Sequence, residues 1–188
     1  MANRRKSTAA PNPVSNFDWH EGSGSTTAST VGAYSLTVSS WTTRQSNGPI
    51  GANAAVTDFT LLLDITFGSG NTGNRSVFHA NSGPAWYLVG TAVKMWTDWG
   101  NTDIEFTGWT VTAGRHKLAF VFSGTTCTMF VDGVKYGSGT RSGGFSMNPN
   151  SVFIATSKDS NPVVDGLYQT VTYWNAVLTD AQAQLATT

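Results

Sequence analysis

Asp132 and Gly133 stand between two short strand-like runs, residues 126–131 and 134–136, with apolar and polar residues alternating through the first. Asp-Gly at such a place is the strongest short-range hairpin signal, because a type I′ turn needs positive φ at both central residues. No helix can satisfy that pair together with its flanking alternation. The pattern recurs upstream in residues 116–122, where Leu118, Phe120 and Phe122 fall on one face and Lys117, Ala119 and Val121 on the other. Further strands are read at residues 59–67, 76–79, 85–89, 93–96, 151–155 and 167–174, separated by Gly/Asn/Ser-rich turns such as GSGNTGN and NSGP. Several short strands without intervening helices predict an antiparallel two-sheet sandwich of the jelly-roll type. One helix is expected, over residues 180–185, behind the capping box Thr179-Asp180-Ala181-Gln182. Its expected place is at one edge of the sandwich.

Composition narrows the function classes. The 188 residues carry 11 Lys+Arg against 11 Asp+Glu, a formal net charge of zero, which argues against a dedicated nucleic-acid binder. Charged residues are 12 % of the chain, against an ordinary ~25 %. A single cysteine, Cys127, excludes an internal disulfide and reads as a small buried hydrophobe within a strand. No apolar run approaches the ~18 residues of a membrane span, and residues 1–16 lack the apolar segment of a secretory signal. Assembly in the producing cell's cytoplasm is therefore expected. Residues 1–16 hold Arg4, Arg5 and Lys6, two prolines and no acid, a formal +3 that leaves −3 for the remainder. They are expected to form an extended basic arm that binds a partner, followed by one domain over residues 17–188.

Phe17-Asp18-Trp19-His20-Glu21-Gly22-Ser23-Gly24-Ser25-Thr26-Thr27 resembles the opening strand and turn of laminin-G-like, concanavalin A-like jelly-roll domains. Residues 114–122 with Met129-Phe130-Val131-Asp132-Gly133 are similar to their central hairpin, and residues 165–179 to their closing strand. The matches come in family order and span residues 17–185. The resemblance implies the fold. For function it implies several classes, since lectins, adhesion modules, glycosidases and virion proteins share this architecture.

Glycosidases of the wider fold place paired carboxylates on one face of a strand, and Asp103-Ile104-Glu105 is the local candidate. A third acid is missing from Phe106-Thr107-Gly108, so a solvated strand edge is expected and no catalytic residue is assigned. There is no G-x-S-x-G elbow, and the histidines are His20, His79 and His116, of which His116 reads as structural within the hairpin. Relatives of this kind often hold calcium at one rim. The candidate ligands are Asp98, Asn101 and Asp103, with Asp159 and Asp165 beside another loop, but the acids are scattered and no cofactor is expected. Trp86, Trp109 and Trp174 are expected in the core. Trp96 and Trp99, with Asp98 and Asn101 in the loop MWTDWGNTD, form a candidate sugar-stacking platform.

Two function classes follow. An extracellular-looking surface without a signal segment or disulfide favours a non-catalytic structural virion protein. The form favoured is a bacteriophage capsid decoration (cement) protein, homo-oligomeric on the shell, that binds a major capsid or other virion protein through Arg4, Arg5, Lys6 and its loops. The alternative is a lectin-like adhesion module that binds cell-surface glycan through Trp96, Trp99, Asp98 and Asn101.

Overall fold

The computed structural model describes residues 9–18, 26–28, 35–40, 45–52, 54–71, 74–80, 84–89, 92–96, 104–141, 143–154 and 165–188. Among them the chain forms strands β1 (Ser15–Asp18), β2 (Thr26–Ala28), β3 (Ser35–Ser40), β4 (Gln45–Gly48), β5 (Phe59–Phe67), β6 (Asn74–Ala80) and β7 (Ala85–Val89). There follow β8 (Ala92–Trp96), β9 (Ile104–Thr110), β10 (Gly114–Ser123), β11 (Thr126–Val131), β12 (Val134–Thr140), β13 (Val152–Ile154), β14 (Gly166–Trp174) and the helix α1 (Asp180–Ala186). One sheet has six strands in the order β1-β14-β5-β10-β11-β12, and the other has eight in the order β2-β3-β4-β13-β6-β7-β8-β9. Every pairing is antiparallel. This is the expected jelly-roll sandwich.

The inner faces meet in one aromatic-rich core. From the six-stranded sheet come Phe59, Leu61, Leu63, Ile65, Leu118, Phe120 and Phe122; from the eight-stranded sheet come Phe78, Trp86, Leu88, Val93, Met95 and Phe106. Phe59 stacks on Phe122 at 4.2 Å, and Trp86 lies 4.9 Å from Phe120 across the interface. Burying each such side chain stabilises by about 1.5–3 kcal/mol, and this drives the sheets together. The Asp132-Gly133 turn has φ of 48° and 78°, positive at both positions as a type I′ turn demands.

A second apolar cluster lies on the outer face of the six-stranded sheet. Leu62, Ala119, Val121, Phe130 and Trp174 are covered there by Leu178 and Ala183. The helix therefore packs on a sheet face and does not close an edge. Alternation requires this, since a strand with apolar residues on both faces needs cover on both. The capping box forms as read: Gln182 N–H bonds Thr179 Oγ1, and Thr179 N–H donates 2.9 Å to Gln182 Oε1.

The arm boundary differs from expectation. Ser15 and Asn16 belong to β1, with Ser15 opposite Tyr173 and Asn16 opposite Thr172. Residues 9–14 are also held down. Val14 N–H donates to Tyr173 O at 2.7 Å, the Trp174 indole N–H to Pro11 O at 2.8 Å, and Gln182 Nε2 to Ala9 O at 2.6 Å. Ala10 packs against the second cluster. Arg4, Arg5 and Lys6 lie outside the described residues.

Candidate functional site

The outer face of the eight-stranded sheet is built by alternation. Trp86 and Leu88 of β7 enter the core, so Ala85 and Tyr87 face outward. Val93 and Met95 of β8 turn inward and leave Lys94 outside; Ile104 and Phe106 of β9 do the same for Glu105. A bulge at Val77 shifts β6, so that Ser76 stands opposite Tyr87 and His79 opposite Ala85. In β13, Val152 and Ile154 are core and Phe153 faces out beside His79, their rings 6.0 Å apart.

Two rows of residues thus cross the sheet. Ser76, Tyr87, Lys94 and Glu105 are successive cross-strand partners; Phe153, His79, Ala85 and Trp96 form the next row. Neighbouring strands stand roughly 4.8 Å apart and residues two apart along a strand roughly 6.7 Å, close to the span of a sugar ring. Ser76, His79 and Tyr87 are buried, Phe153 and Lys94 half-buried, Glu105 exposed. Lys94 Nζ lies 3.2 Å from Glu105 Oε2. On this face the Lys94–Glu105 pair and the Phe153 ring keep access to solvent, while Ser76, Tyr87 and His79 lie covered.

The sequence-predicted platform touches this surface at one point. The backbone of Trp96 closes β8 at the end of the second row, opposite Ala85. Asp98, Trp99, Asn101 and Asp103 lie outside the described residues. Glu105 is the described half of the expected carboxylate pair, and it is paired across the strands with Lys94, as a surface ion pair. Among the described residues no group of three or more His, Cys, Asp or Glu side chains converges on a metal position. Asp165 caps a turn: its Oδ2 accepts from Gly70 N–H at 2.8 Å, while Asn71 accepts from Asp165 N–H and donates to Asp165 O. Cys127 is fully buried, and burial pushes its thiol well above the ordinary range, so it is no nucleophile. Sequence reasoning passed over Phe153, Tyr87, His79 and Lys94 as site residues. The signal was present as the odd-even contrast of Tyr87 with Trp86 and Leu88.

A separate polar chain occupies the end of the hairpin. His116 Nδ1 is 2.6 Å from Asp132 Oδ2, and Nε2 is 3.1 Å from Thr112 Oγ1. The other Asp132 oxygen accepts from Lys117 N–H at 2.9 Å. The carboxylate thus orients the ring through Nδ1 and sets Nε2 against the Thr112 hydroxyl. On the outer face of the six-stranded sheet, Arg115 forks onto Asp64 at 2.8 and 2.7 Å, and these bonds hold the guanidinium above its already high ordinary range. Trp86 is core and Trp174 belongs to the second cluster, but Trp109 is only partly buried, against expectation.

Comparison with known proteins places the chain. The family described as the Concanavalin A-like lectin/glucanases superfamily matches residues 20–184, and the chain belongs to it. No curated protein matches. Among solved structures, the Trypanosoma rangeli sialidase is similar at 15 % identity and TM-score 0.65, over 92 % of this chain and 32 % of that one. The chain thus spans about a third of the sialidase. The Ruminococcus gnavus IT-sialidase CBM40, bound to α2,3-sialyllactose, is similar at 12 % identity and TM-score 0.58, over 70 % of this chain and 83 % of that one. The binding domain of botulinum neurotoxin serotype G is similar at 9 % identity and TM-score 0.65, over 93 % of this chain and 50 % of that one. At these identities the likeness is one of fold.

Proposed function

From membership of the lectin/glucanase superfamily, we propose that this chain is a non-catalytic glycan-binding module whose ligand lies across the two rows on the outer face of the eight-stranded sheet. The observation that carries the reading is Phe153, an aromatic left half-buried on that face beside His79, with the Lys94–Glu105 pair three and four strands away on the same face. Sugar rings present apolar C–H faces edged by hydroxyls, which an aromatic edge with adjacent donors and acceptors matches. Glu105 acts there as a hydrogen-bonding carboxylate beside Lys94, and not as a proton donor to a leaving group. Binding is independent of calcium in this reading. The similar CBM40, seen with a sialylated sugar, supports a binding role for the fold.

The test is a glycan array followed by calorimetry on hits, with α2,3-sialyllactose and neutral oligosaccharides included. Phe153→Ala and Lys94→Ala should each weaken binding by about tenfold, equivalent to about 1.4 kcal/mol, and EDTA should change nothing. Equal binding by wild type and both variants, or no hit at all, overturns the reading.

A second reading concerns the other side of the molecule. Gln182 and Trp174 hold residues 9–11 on the outer face of the six-stranded sheet, the side opposite the glycan rows, and the sequence before them carries Arg4, Arg5 and Lys6. A virion structural protein that fastens to a capsid partner by that segment would still present its sugar-binding face outward. Loss of particle binding on deletion of residues 1–8 is the result this reading requires.

A further inference from the structure

Of the aromatic side chains whose burial is described, only Phe153, Trp109 and Tyr136 are not buried. Phe153 belongs to the face discussed above. Trp109 and Tyr136 stand together elsewhere, on the far edge strands of the two sheets. There β9 and β12 run antiparallel along a seam: Ile104 abuts Gly139 at one end, while Gly108 and Trp109 approach Tyr136 at the other. The rings of Trp109 and Tyr136 are 6.4 Å apart.

Both aromatics owe their place to breaks in strand register. In β9, Thr110 pairs with Ala92 and Phe106 with Val93, so the residues between, Trp109 among them, are extra to the ladder. In β12, Gly137 pairs with Met129 and Lys135 with Phe130, so Tyr136 is the extra residue. Bulges at sheet edges re-aim single side chains, and they recur beside functional sites. Each irregularity also holds a glycine in a conformation that side chains resist, Gly108 at φ 96° and Gly137 at φ 142°. A Cβ on Gly137 would meet nothing within 4 Å, so the strand is uncrowded next to Tyr136 in sequence. Trp109 and Tyr136 pack against the edge of the core on one side and keep part of their surface exposed on the other.

Polar groups lie alongside. Trp109 meets the His116 ring edge-on at 5.4 Å, and His116 carries the exposed Thr112 hydroxyl on Nε2. The exposed Thr112 oxygen has two lone pairs, so at least one is open to a ligand hydroxyl whichever way its bond to Nε2 runs. We propose that the seam between β9 and β12 is a carbohydrate-binding site, in which a saccharide ring stacks on Trp109 and Tyr136 and donates a hydroxyl to Thr112. This rests on the glycan-binding reading and adds a site on the edge of the sandwich, distinct from the face.

The experiment follows the Trp109 indole N–H in ¹⁵N spectra of the full chain, assigned by its loss in Trp109→Phe. Lactose, maltotriose and α2,3-sialyllactose are titrated separately. The expected result is a saturating shift of that resonance with at least one sugar. Tyr136→Ala should weaken the shift by about tenfold and Thr112→Val by a lesser factor, while Phe153→Ala leaves it unchanged. Tyr136→Ala and Thr112→Val alter partly exposed or exposed side chains, and an unchanged spectrum elsewhere verifies their fold. An indole unmoved while Phe153→Ala or Lys94→Ala abolishes binding overturns the seam and leaves the glycan reading standing. No response to any of the three sugars by either group of residues overturns the seam and counts against the glycan reading as well.

Discussion

The two outer faces of the sandwich have opposite fates. That of the six-stranded sheet is overlaid: α1 covers Leu62, Val121 and Phe130, and residues 9–14 run across Trp174. That of the eight-stranded sheet carries an ion pair, buried polar groups and a half-buried aromatic in place of an apolar cluster. Both strand sets have the same inner periodicity, so the inner faces do not distinguish them. The outward residues of β5, β10 and β11 include Leu62, Ala119, Val121 and Phe130, with the Arg115–Asp64 pair beside them; those of β6, β7 and β8 include Ser76, His79, Tyr87 and Lys94. An apolar outer face stabilises by recruiting cover, whereas a mixed one must satisfy its polar groups with partners of their own.

The largest break in this contrast is Trp174→Ala. It empties the second cluster and removes the indole bond to Pro11, and should cost about 3–5 kcal/mol by urea denaturation. Phe153→Ala, the corresponding aromatic on the other face, should cost under about 1.5 kcal/mol while lowering sugar affinity. Truncation sharpens the same point. Removing residues 1–8 should leave the melting midpoint unchanged, but removing residues 1–14 deletes three hydrogen bonds and the Ala10 contact, and should cost about 1–2 kcal/mol.

The shared core should respond to pH in a way that neither face does. Cys127 keeps its proton in the native state, while in the unfolded chain it ionises near the ordinary thiol value of 9.0. Unfolding then releases a proton, so stability should fall as pH rises past that value, and Cys127→Ala should flatten the decline. Iodoacetamide labelling confined to the unfolded protein would be the accompanying sign. The smallest expected effect is that of Lys94→Ala on stability, within about 1 kcal/mol because the pair is partly exposed. A cost of several kcal/mol there would mean that the ion pair is structural and that the two faces are less different than described.

Much of this contrast was legible in the residues themselves. The strands read at 59–67, 85–89 and 126–131 match β5, β7 and β11 to the residue, since turn-forming residues bound each apolar run. The capping box placed α1 within one residue of its end. Strands such as β3 (SLTVSS) and β4 (QSNG) are too polar to stand out locally, and their pairing comes from neighbours distant in sequence. The Lys94–Glu105 partnership depends on the β8–β9 register, which Asp103-Ile104-Glu105 does not encode on its own. Trp109 looked like core because its strand is apolar; the bulge that turns it toward the seam leaves only Gly108 as a trace in the sequence.

One amide, that of Gln182, accepts from Thr179 at the start of α1 and donates to Ala9 from the other end of the chain. Tension applied between residue 9 and the helix would therefore load this group first. Ser15 sits opposite Tyr173 and Asp18 opposite Thr170, so the pull reaches β1 and β14 at the same end of their ladder. Bonds so loaded open one after another and do not share the force. Under stretch the segment would peel as a zip at low load up to Asn16, where Phe17, buried in the core between the sheets, takes the strain.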